Sequence, residues 1–317
     1  MKMNHLLTRS LCGVLLLVTL SCSKKDDTDP STPGNGGNPN PTEESVIKVY
    51  LRNDATTLDL GSVYPNHKPT MRSFKVSNTG TKALSISSID LPEGCTFFRS
   101  FAATTIEARE VLDIYLHFLP TQEKAYTGQI VVHSDADSGA NTLPTTGKGI
   151  TKTYDYDGNE YHIIKIGNLL WLQENFRGTH YLNGDPIPDV VSFSGSQDDL
   201  TYGKFYRGTS LYVYESSGER IAARGGLVEG FGVPFNTDWE RLFDALGGTD
   251  VAGGKLKQSG TSLWKSPNTG ATNETGFTAL PAGQAAGGLV NNYKKAALFW
   301  SYKFDNPESS STQRISG

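Results

Sequence analysis

Hydrophobic and polar positions change rhythm several times along the chain. An apolar run, "LCGVLLLVTL" from Leu11 to Leu20, follows Lys2 and Arg9, ends on Ser21-Cys22, and gives way at once to Ser23-Lys24-Lys25-Asp26-Asp27. The run is too short to cross a bilayer, which takes ~20 apolar residues as a helix, and its basic, apolar and small-residue sections are those of an export signal. The stretch "TDPSTPGNGGNPNP", Thr28 to Pro41, has nothing to bury and reads as a spacer, reaching up to ~3 Å per extended residue.

From residue 46 to 150 the rhythm becomes that of short strands: "VIKVYL", "RSFKVSN", "ALSISSIDL", "VLDIYLHFLP" and "TGQIVVHSD", each bounded by turn residues. In Val111 to Phe118, Leu112, Ile114, Leu116 and Phe118 alternate with Val111, Asp113, Tyr115 and His117, so one face is core and the other wet. Several such strands without helical periodicity predict a β-sandwich. Asn78-Thr79-Gly80 reads as a turn whose glycine takes positive φ, and Pro120 ends a strand.

A second domain starts near Thr151. "YDYDGNEYHIIKI" predicts a hairpin turning at Asp157-Gly158, with His162 structural in its second strand. Asp155, Asp157 and Asn159 also stand at the spacing of a calcium loop, but Glu160 replaces the loop glycine and Ile166 the closing glutamate. "NTDWERLFDALGG" predicts a helix, with Thr237 and Glu240 as its capping box, Trp239, Leu242, Phe243 and Leu246 on one face, and Gly247-Gly248 as its end.

Composition removes function classes. The 317 residues carry a formal charge of −4 and no basic run longer than the pair Lys24-Lys25, so a nucleic-acid partner is not expected. Of three cysteines, Cys12 lies in the leader and Cys22 at its end, which leaves Cys95 without an intrachain partner. Of six histidines only His162 and His180 fall in the second domain, and no metal-ligand pair stands at helical spacing. There is no Gly-x-Ser-x-Gly elbow and no phosphate-cradling loop. No catalytic residue, metal or cofactor is assigned.

Resemblances sharpen this outline. Leu20-Ser21-Cys22 resembles the lipobox of bacterial lipoproteins, with Thr19 where an aliphatic residue is usual; the resemblance implies lipidation of Cys22 and an outer-membrane anchor. Ser23 to Asp27 resembles the signal that sends Bacteroidota lipoproteins to the exterior face, or is a solvated tether. Leu58-Asp59-Leu60-Gly61, Val76-Ser77-Asn78-Thr79-Gly80, Phe118-Leu119-Pro120, Tyr126-Thr127-Gly128 and Gly147-Lys148-Gly149 resemble the immunoglobulin-like "choice-of-anchor" and ASPM/SPD-2/Hydin domains. "YDYDGNEYHIIKIGNLLWLQENF", "YGKFY", "FGVPFNTDWERLFDALGG", "AGGKLKQSGTSLWKSPNTGATNETGFTALPAGQ" and "ALFWS" resemble, in order, the Fibrobacter succinogenes major paralogous domain, which implies a C-type lectin-like α+β fold. Phe231 and Phe235 depart from that family's "W-x-x-P-T" turn, a change expected to affect packing only. The chain stops at Gly317, soon after Phe299-Trp300-Ser301, where relatives continue to a closing strand; either it is truncated or a sheet edge is open. The cysteine chemistry of the formylglycine-generating relatives is excluded, since residues 96 to 317 hold no cysteine. The calcium-sugar signatures of animal lectins are absent too.

The expected organisation is a leader over 1–21, a lipidated Cys22 with linker over 22–45, an Ig-like sandwich over 46–150 and the lectin-like domain over 151–317. Trp171, Trp239 and Trp300 read as core. Trp264, in a polar loop, either stacks on a ligand or pins that loop. Asn291, Asn292 and Tyr293, with Tyr302 in the Tyr/Asn/Ser-rich terminal region, complete the candidate ligand face. The expected function is that of a surface lipoprotein binding a glycan or a protein, ahead of a structural envelope component and of a polysaccharide hydrolase.

Overall fold

The computed structural model describes residues 42–193, 196–214, 220–222, 226–287, 289–302 and 310–316. The leader, Cys22 and the spacer lie outside these residues. Among the described residues no helix is long and apolar enough to cross a membrane.

Period-two alternation folds residues 46–149 into ten strands: β1 (Val46–Tyr50), β2 (Leu58–Val63), β3 (Thr70–Asn78), β4 (Leu84–Asp90), β5 (Cys95–Phe97), β6 (Thr104–Ile106), β7 (Val111–Phe118), β8 (Lys124–Ser134), β9 (Ser138–Ala140) and β10 (Thr142–Gly149). They form two five-stranded sheets, in the orders β5-β7-β3-β1-β9 and β2-β10-β8-β4-β6. Neighbours are antiparallel except β1 with β9 and β2 with β10. The inward faces share one core that includes Leu60, Phe74, Leu84, Leu116, Phe118 and Ile130. In β7 the buried residues are Ile114, Leu116 and Phe118, the expected face. A register shift between Ile86 and Ser88 reverses the phase of β4, so Ile89 joins Leu84 and Ile86 inside.

The turn after β3 works differently from its sequence reading. Gly80 does not take positive φ; a β-carbon there would stand 2.1 Å from the Glu44 carbonyl oxygen, so the glycine is needed for close approach to the segment entering β1. Asn78, fully buried, fills all four of its side-chain hydrogen bonds. Its Nδ2 donates to the carbonyls of Lys82 (2.7 Å) and Ile106 (3.1 Å), and its Oδ1 accepts from the amides of Val46 (3.3 Å) and Gly80 (3.1 Å). Cys95 is a free, half-buried thiol, pushed up to about 11 by burial and hence unreactive near neutrality.

The C-terminal half opens with β11 (Lys152–Tyr154) and β12 (Glu160–Ile166), joined by the expected turn with Gly158 at φ +79°, and continues into β13 (Leu169–Leu172). Then follow α1 (Ser196–Tyr202), the hairpin β14 (Tyr212–Tyr214) and β15 (Arg220–Ala222), α2 (Asn236–Ala245), α3 (Thr249–Leu256), the hairpin β16 (Gln284–Ala286) and β17 (Leu289–Asn291), and the pair β18 (Ala296–Tyr302) and β19 (Ser310–Ser316). The periodic face of α2 is as read, with Trp239, Leu242 and Leu246 buried. Its start is two residues earlier than expected: Asp238 Oδ2 accepts the Phe235 amide at 3.0 Å, so the reciprocal acid is Asp238 and not Glu240. The helix ends as read, the Gly248 amide donating to Phe243 at 2.8 Å. Helices α1 and α3 have no counterpart in the periodicity reading.

The residues after Phe299-Trp300-Ser301 supply one more strand, but not beside the first strand of this half: β11 has only β12 as a sheet neighbour among the described residues. Strand β19 pairs with the whole of β18, from Ala296 opposite Ser316 to Tyr302 opposite Ser310. The partner strand is the polar stretch "SSTQRIS", whose single buried apolar residue, Ile315, carries no readable alternation.

Candidate binding site

A cleft of about 1140 Å³ is bounded mainly by the C-terminal half, with one wall from the loop between β2 and β3. That loop contributes Tyr64, His67 and Lys68; β13 contributes Trp171 and Leu172; the loops before and after α1 contribute Phe176 and Tyr206; Phe231 and Phe235 precede α2; β18 contributes Trp300 and Tyr302. Phe176, Tyr206, Phe231, Phe235 and Trp300 are half-buried, each showing part of a ring to the cleft while packing on the core that holds Tyr161, Tyr181 and Leu227.

Two of these rings are held by hydrogen bonds at their backs. The Trp300 indole donates to the Tyr206 carbonyl at 2.9 Å, and the Tyr206 hydroxyl to the Gly178 carbonyl at 2.8 Å. Burial pushes the Tyr206 phenol well above its ordinary value, so it stays protonated and keeps its hydrogen for the Gly178 carbonyl. Phe176 lies 5.1 Å from Tyr206, ring to ring, and the segment carrying it is fastened from below. The Tyr161 hydroxyl accepts the Arg177 amide at 3.0 Å and donates to buried Asp155 at 2.8 Å, while the Arg177 guanidinium lies 5.0 Å over the Tyr161 ring. Asp155 also accepts the Asn159 backbone amide (2.9 Å) and side-chain amide (2.8 Å). The carboxylates that resembled a calcium loop are thus structural: Asp155 anchors the cleft wall, and Asp157 accepts from Thr179 (2.5 Å from its amide) and pairs with His180 Nδ1 (2.6 Å). Among the described residues no cluster of three or more potential metal ligands occurs.

Of the acids lining the cleft, Glu174 is held by the His162 amide and Nδ1, both at 2.7 Å, and Asp238 by the start of α2 and by Arg241 at 3.6 Å. Glu229, the third, forms no ion pair among the described residues. Lys204 is bound to Asp199 at 2.5 Å and Ser192 at 2.9 Å. Burial raises the Asp199 carboxyl, but the bonds from Lys204 and the Phe193 amide outweigh it and hold the group below the usual range. Asp157 behaves alike, burial being outweighed by Thr179 and His180, and Glu160 is lowered by Lys152 and Tyr154. A carboxyl lowered on folding keeps its charge to lower pH than in the unfolded chain. Its stabilisation is full above about pH 4 and is lost as pH falls through the folded-state values. The urea midpoint is therefore expected to be lower at pH 3 than at pH 7, and the Asp199→Asn variant should show a smaller drop; equal midpoints at the two pH values for the parent chain would refute this.

The candidate residues fare unequally. Cys22 lies outside the described residues. Trp264 is 1% exposed, its indole donating to the Ala279 carbonyl at 3.0 Å and Lys257 lying 5.4 Å over its ring, so it pins its loop and cannot stack on a ligand. Tyr302 is 5% exposed, its hydroxyl 3.4 Å from the Gly208 carbonyl, and it belongs to the cleft's floor rather than its binding surface. Asn291 is exposed on β17, and Asn292, at φ +60°, begins the turn into β18. Tyr293 packs on Phe193 (5.1 Å) and Tyr202 (5.5 Å), ring to ring, and reaches the cleft only through Tyr202, which lines it. The aromatic lining itself escaped the reading of candidates, because those rings stand in core-like contexts. Phe231 and Phe235, expected to affect packing only, line the cleft.

The comparisons with known proteins bear on both halves. No curated protein matches the chain. Solved structures give distant likenesses: an ASH/PapD-like domain of human CEP192 (12% identity, 39% of this chain and 98% of that one, TM-score 0.26), a protein of unknown function from Porphyromonas gingivalis W83 (16%, 33% and 47%, 0.25) and the E. coli chaperone DraB (10%, 45% and 78%, 0.25). Residues 51–148 match the family model described as a protein of unknown function (DUF1573), and residues 164–316 match that of the Fibrobacter succinogenes major domain. The chain therefore carries a DUF1573 domain followed by a Fibrobacter succinogenes major domain.

Proposed function

We propose that this protein is a lipid-anchored, non-catalytic recognition protein of the bacterial outer envelope, which binds a glycan or a surface protein through the aromatic cleft of a C-type lectin-like C-terminal half. The observation that carries this reading is the cleft: about 1140 Å³, with five half-exposed aromatic side chains held in place from behind. Fixed rings with one free face suit stacking on a ligand, since little freedom is lost on binding. The anchor rests on the lipobox-like Leu20-Ser21-Cys22 and the spacer behind it. The surface-type character of the Fibrobacter succinogenes major domain favours exposure at the cell exterior.

Binding is preferred to hydrolysis on the carboxylates. Glycoside hydrolysis takes a pair of free carboxyls roughly 5 to 10 Å apart, whereas two of the three acids lining the cleft are already spent on His162 and on the start of α2. The test is an array of glycans and host surface proteins probed with the purified protein, with calcium and with chelator. Discrete ligands, unaffected by chelation and lost in the Phe231→Ala variant, are expected. Uniform silence from a folded sample would favour a purely structural envelope component, and turnover of a bound glycan would overturn the non-catalytic reading.

A further inference from the structure

Both halves of the chain contribute to the cleft. The end of β2 and the loop after it bring Ser62, Tyr64 and Lys68 to its lining as one wall. That wall is fastened on its sandwich side. Asn66, in the left-handed region at φ +54°, donates its amide to the Pro120 carbonyl at 3.0 Å and its side chain to the Thr121 carbonyl at 3.2 Å, and the Thr70 hydroxyl donates to the Leu60 carbonyl at 2.9 Å. It is also tied to the C-terminal half through the backbone. The Ile150 amide donates to the Val63 carbonyl at 3.0 Å, the Ile163 amide donates to the Thr151 carbonyl at 2.7 Å, and Ile163 stands opposite Leu172 of β13. Both Ile163 and Leu172 line the same cleft. Across this junction the Thr151 hydroxyl donates to the Glu123 carboxylate at 2.5 Å. The sandwich wall is therefore held at a fixed position relative to the strands that carry the other lining.

The charges on the lining cancel. Glu174, Asp238 and Lys204 are committed to His162, to Arg241 and the Phe235 amide, and to Asp199. Lys68 and Glu229, one of each sign, form no ion pair among the described residues. A charged ligand thus meets no net field of the opposite sign. What the lining does offer is neutral: Ser62, Tyr64, Asn168 and Gln173 have side chains that form no hydrogen bond among the described residues, and hydroxyls and amides both donate and accept. We infer that the cleft is a composite site for a neutral oligosaccharide of several linked sugars, whose C–H faces lie on the rings of the C-terminal half while its hydroxyls reach Ser62, Tyr64 and Gln173. The inference rests on the binding reading above, names its ligand class, and makes the sandwich a specificity-determining wall rather than a stalk. The C–H face of a sugar suits the negative face of an aromatic ring and needs no polar partner there, whereas a peptide brings backbone N–H and C=O groups that such rings leave unpaired. The volume exceeds the ~300–1,000 Å³ of ordinary small-ligand sites, which suits several linked sugars better than one.

The experiment is calorimetric titration of the purified protein with neutral gluco-, galacto- and manno-oligosaccharides of increasing length, and with oligogalacturonate and chondroitin sulfate oligosaccharides of matched length. Expected is binding of at least one neutral series, tightening with chain length and insensitive to added salt. It should weaken about ten-fold in Tyr64→Ala, on the sandwich wall, and in Gln173→Ala, on the C-terminal side, the order expected for losing one well-placed contact. Ser62 is exposed, so Ser62→Ala serves as a second wall variant that leaves the fold intact, and an unchanged melting temperature verifies the others. Binding lost in Phe231→Ala but indifferent to both wall variants would overturn the composite site and leave the binding reading standing. Preference for the acidic series, or a single sugar bound as tightly as the longest chain, would overturn the ligand class. Silence toward every saccharide from a folded protein that captures a surface protein on the wider array would overturn this inference alone, and silence on the array as well would overturn the binding reading itself.

Discussion

Replacing Trp239 by alanine is expected to destabilise the protein by about 3–5 kcal/mol, the range for deleting a fully buried aromatic residue. The indole is 1% exposed and centres a cluster of rings: Trp171 at 4.9 Å, Phe299 at 5.4 Å, Phe243 at 5.9 Å and Phe277 at 6.2 Å between centroids. These rings come from α2, β13, β18 and the loop before β16, so no single element can move in to fill the space. Trp239→Phe should behave very differently. Among the described residues the buried Trp239 indole N–H has no hydrogen-bond partner, so phenylalanine gives up contact area while also removing an unsatisfied donor. A cost near 1 kcal/mol is expected there, the usual scale for a small change of core volume. Urea unfolding of the two variants measures the difference; equal costs would show that the indole nitrogen, and not the ring packing, matters at this position.

The same residue shows how far the sequence could be read. Trp239 falls at helical spacing with Leu242, Phe243 and Leu246, so its burial was legible from periodicity alone, as were the alternating faces of β7 and the hairpin turn at Asp157-Gly158. Helix α3, "TDVAGGKL", was not, because two glycines in eight residues mask its weak apolar face. Strand β19 was not, because seven mostly polar residues acquire strand structure only from pairing along β18. The two readings of Trp264 could not be separated for a related reason. Trp264 sits among polar residues in the chain yet lies in the core, whereas Trp300, in an apolar run, shows part of its ring to the cleft. Local polarity reports on sequence neighbours, and exposure at a cleft is set by residues distant along the chain. Tyr206 and Trp300, 94 positions apart in the numbering, meet only through the fold.

Removing the Asp155 carboxylate is expected to be about as damaging as the loss of Trp239, and unlike that loss it should reach the cleft. Asp155 is 6% exposed and accepts from the Tyr161 hydroxyl, the Asn159 amide and the Asn159 side chain. Alanine leaves three donors facing a void, and at about 1–3 kcal/mol for each buried donor left unsatisfied, partly relieved by water and relaxation, a loss of about 3–5 kcal/mol follows. Asp155→Asn keeps the volume but turns an acceptor into a donor against the Asn159 side chain, so about 1–3 kcal/mol is expected. Gly178 has no room to absorb the change: a β-carbon there would stand 2.7 Å from the Asp155 carboxylate and 2.7 Å from the Phe176 ring, so carboxylate, glycine and ring are packed against one another. Loosening Asp155 frees Tyr161, and with it the Arg177 amide and the wall that carries Phe176. The Asp155→Asn variant, folded at low temperature, should therefore bind the cleft's ligand more weakly although it lines no part of the cleft. Tyr161→Phe, which removes only one of the three donors, should show a smaller loss in the same direction. Full ligand affinity in a folded Asp155→Asn protein would mean that the cleft wall is held by its aromatic packing alone.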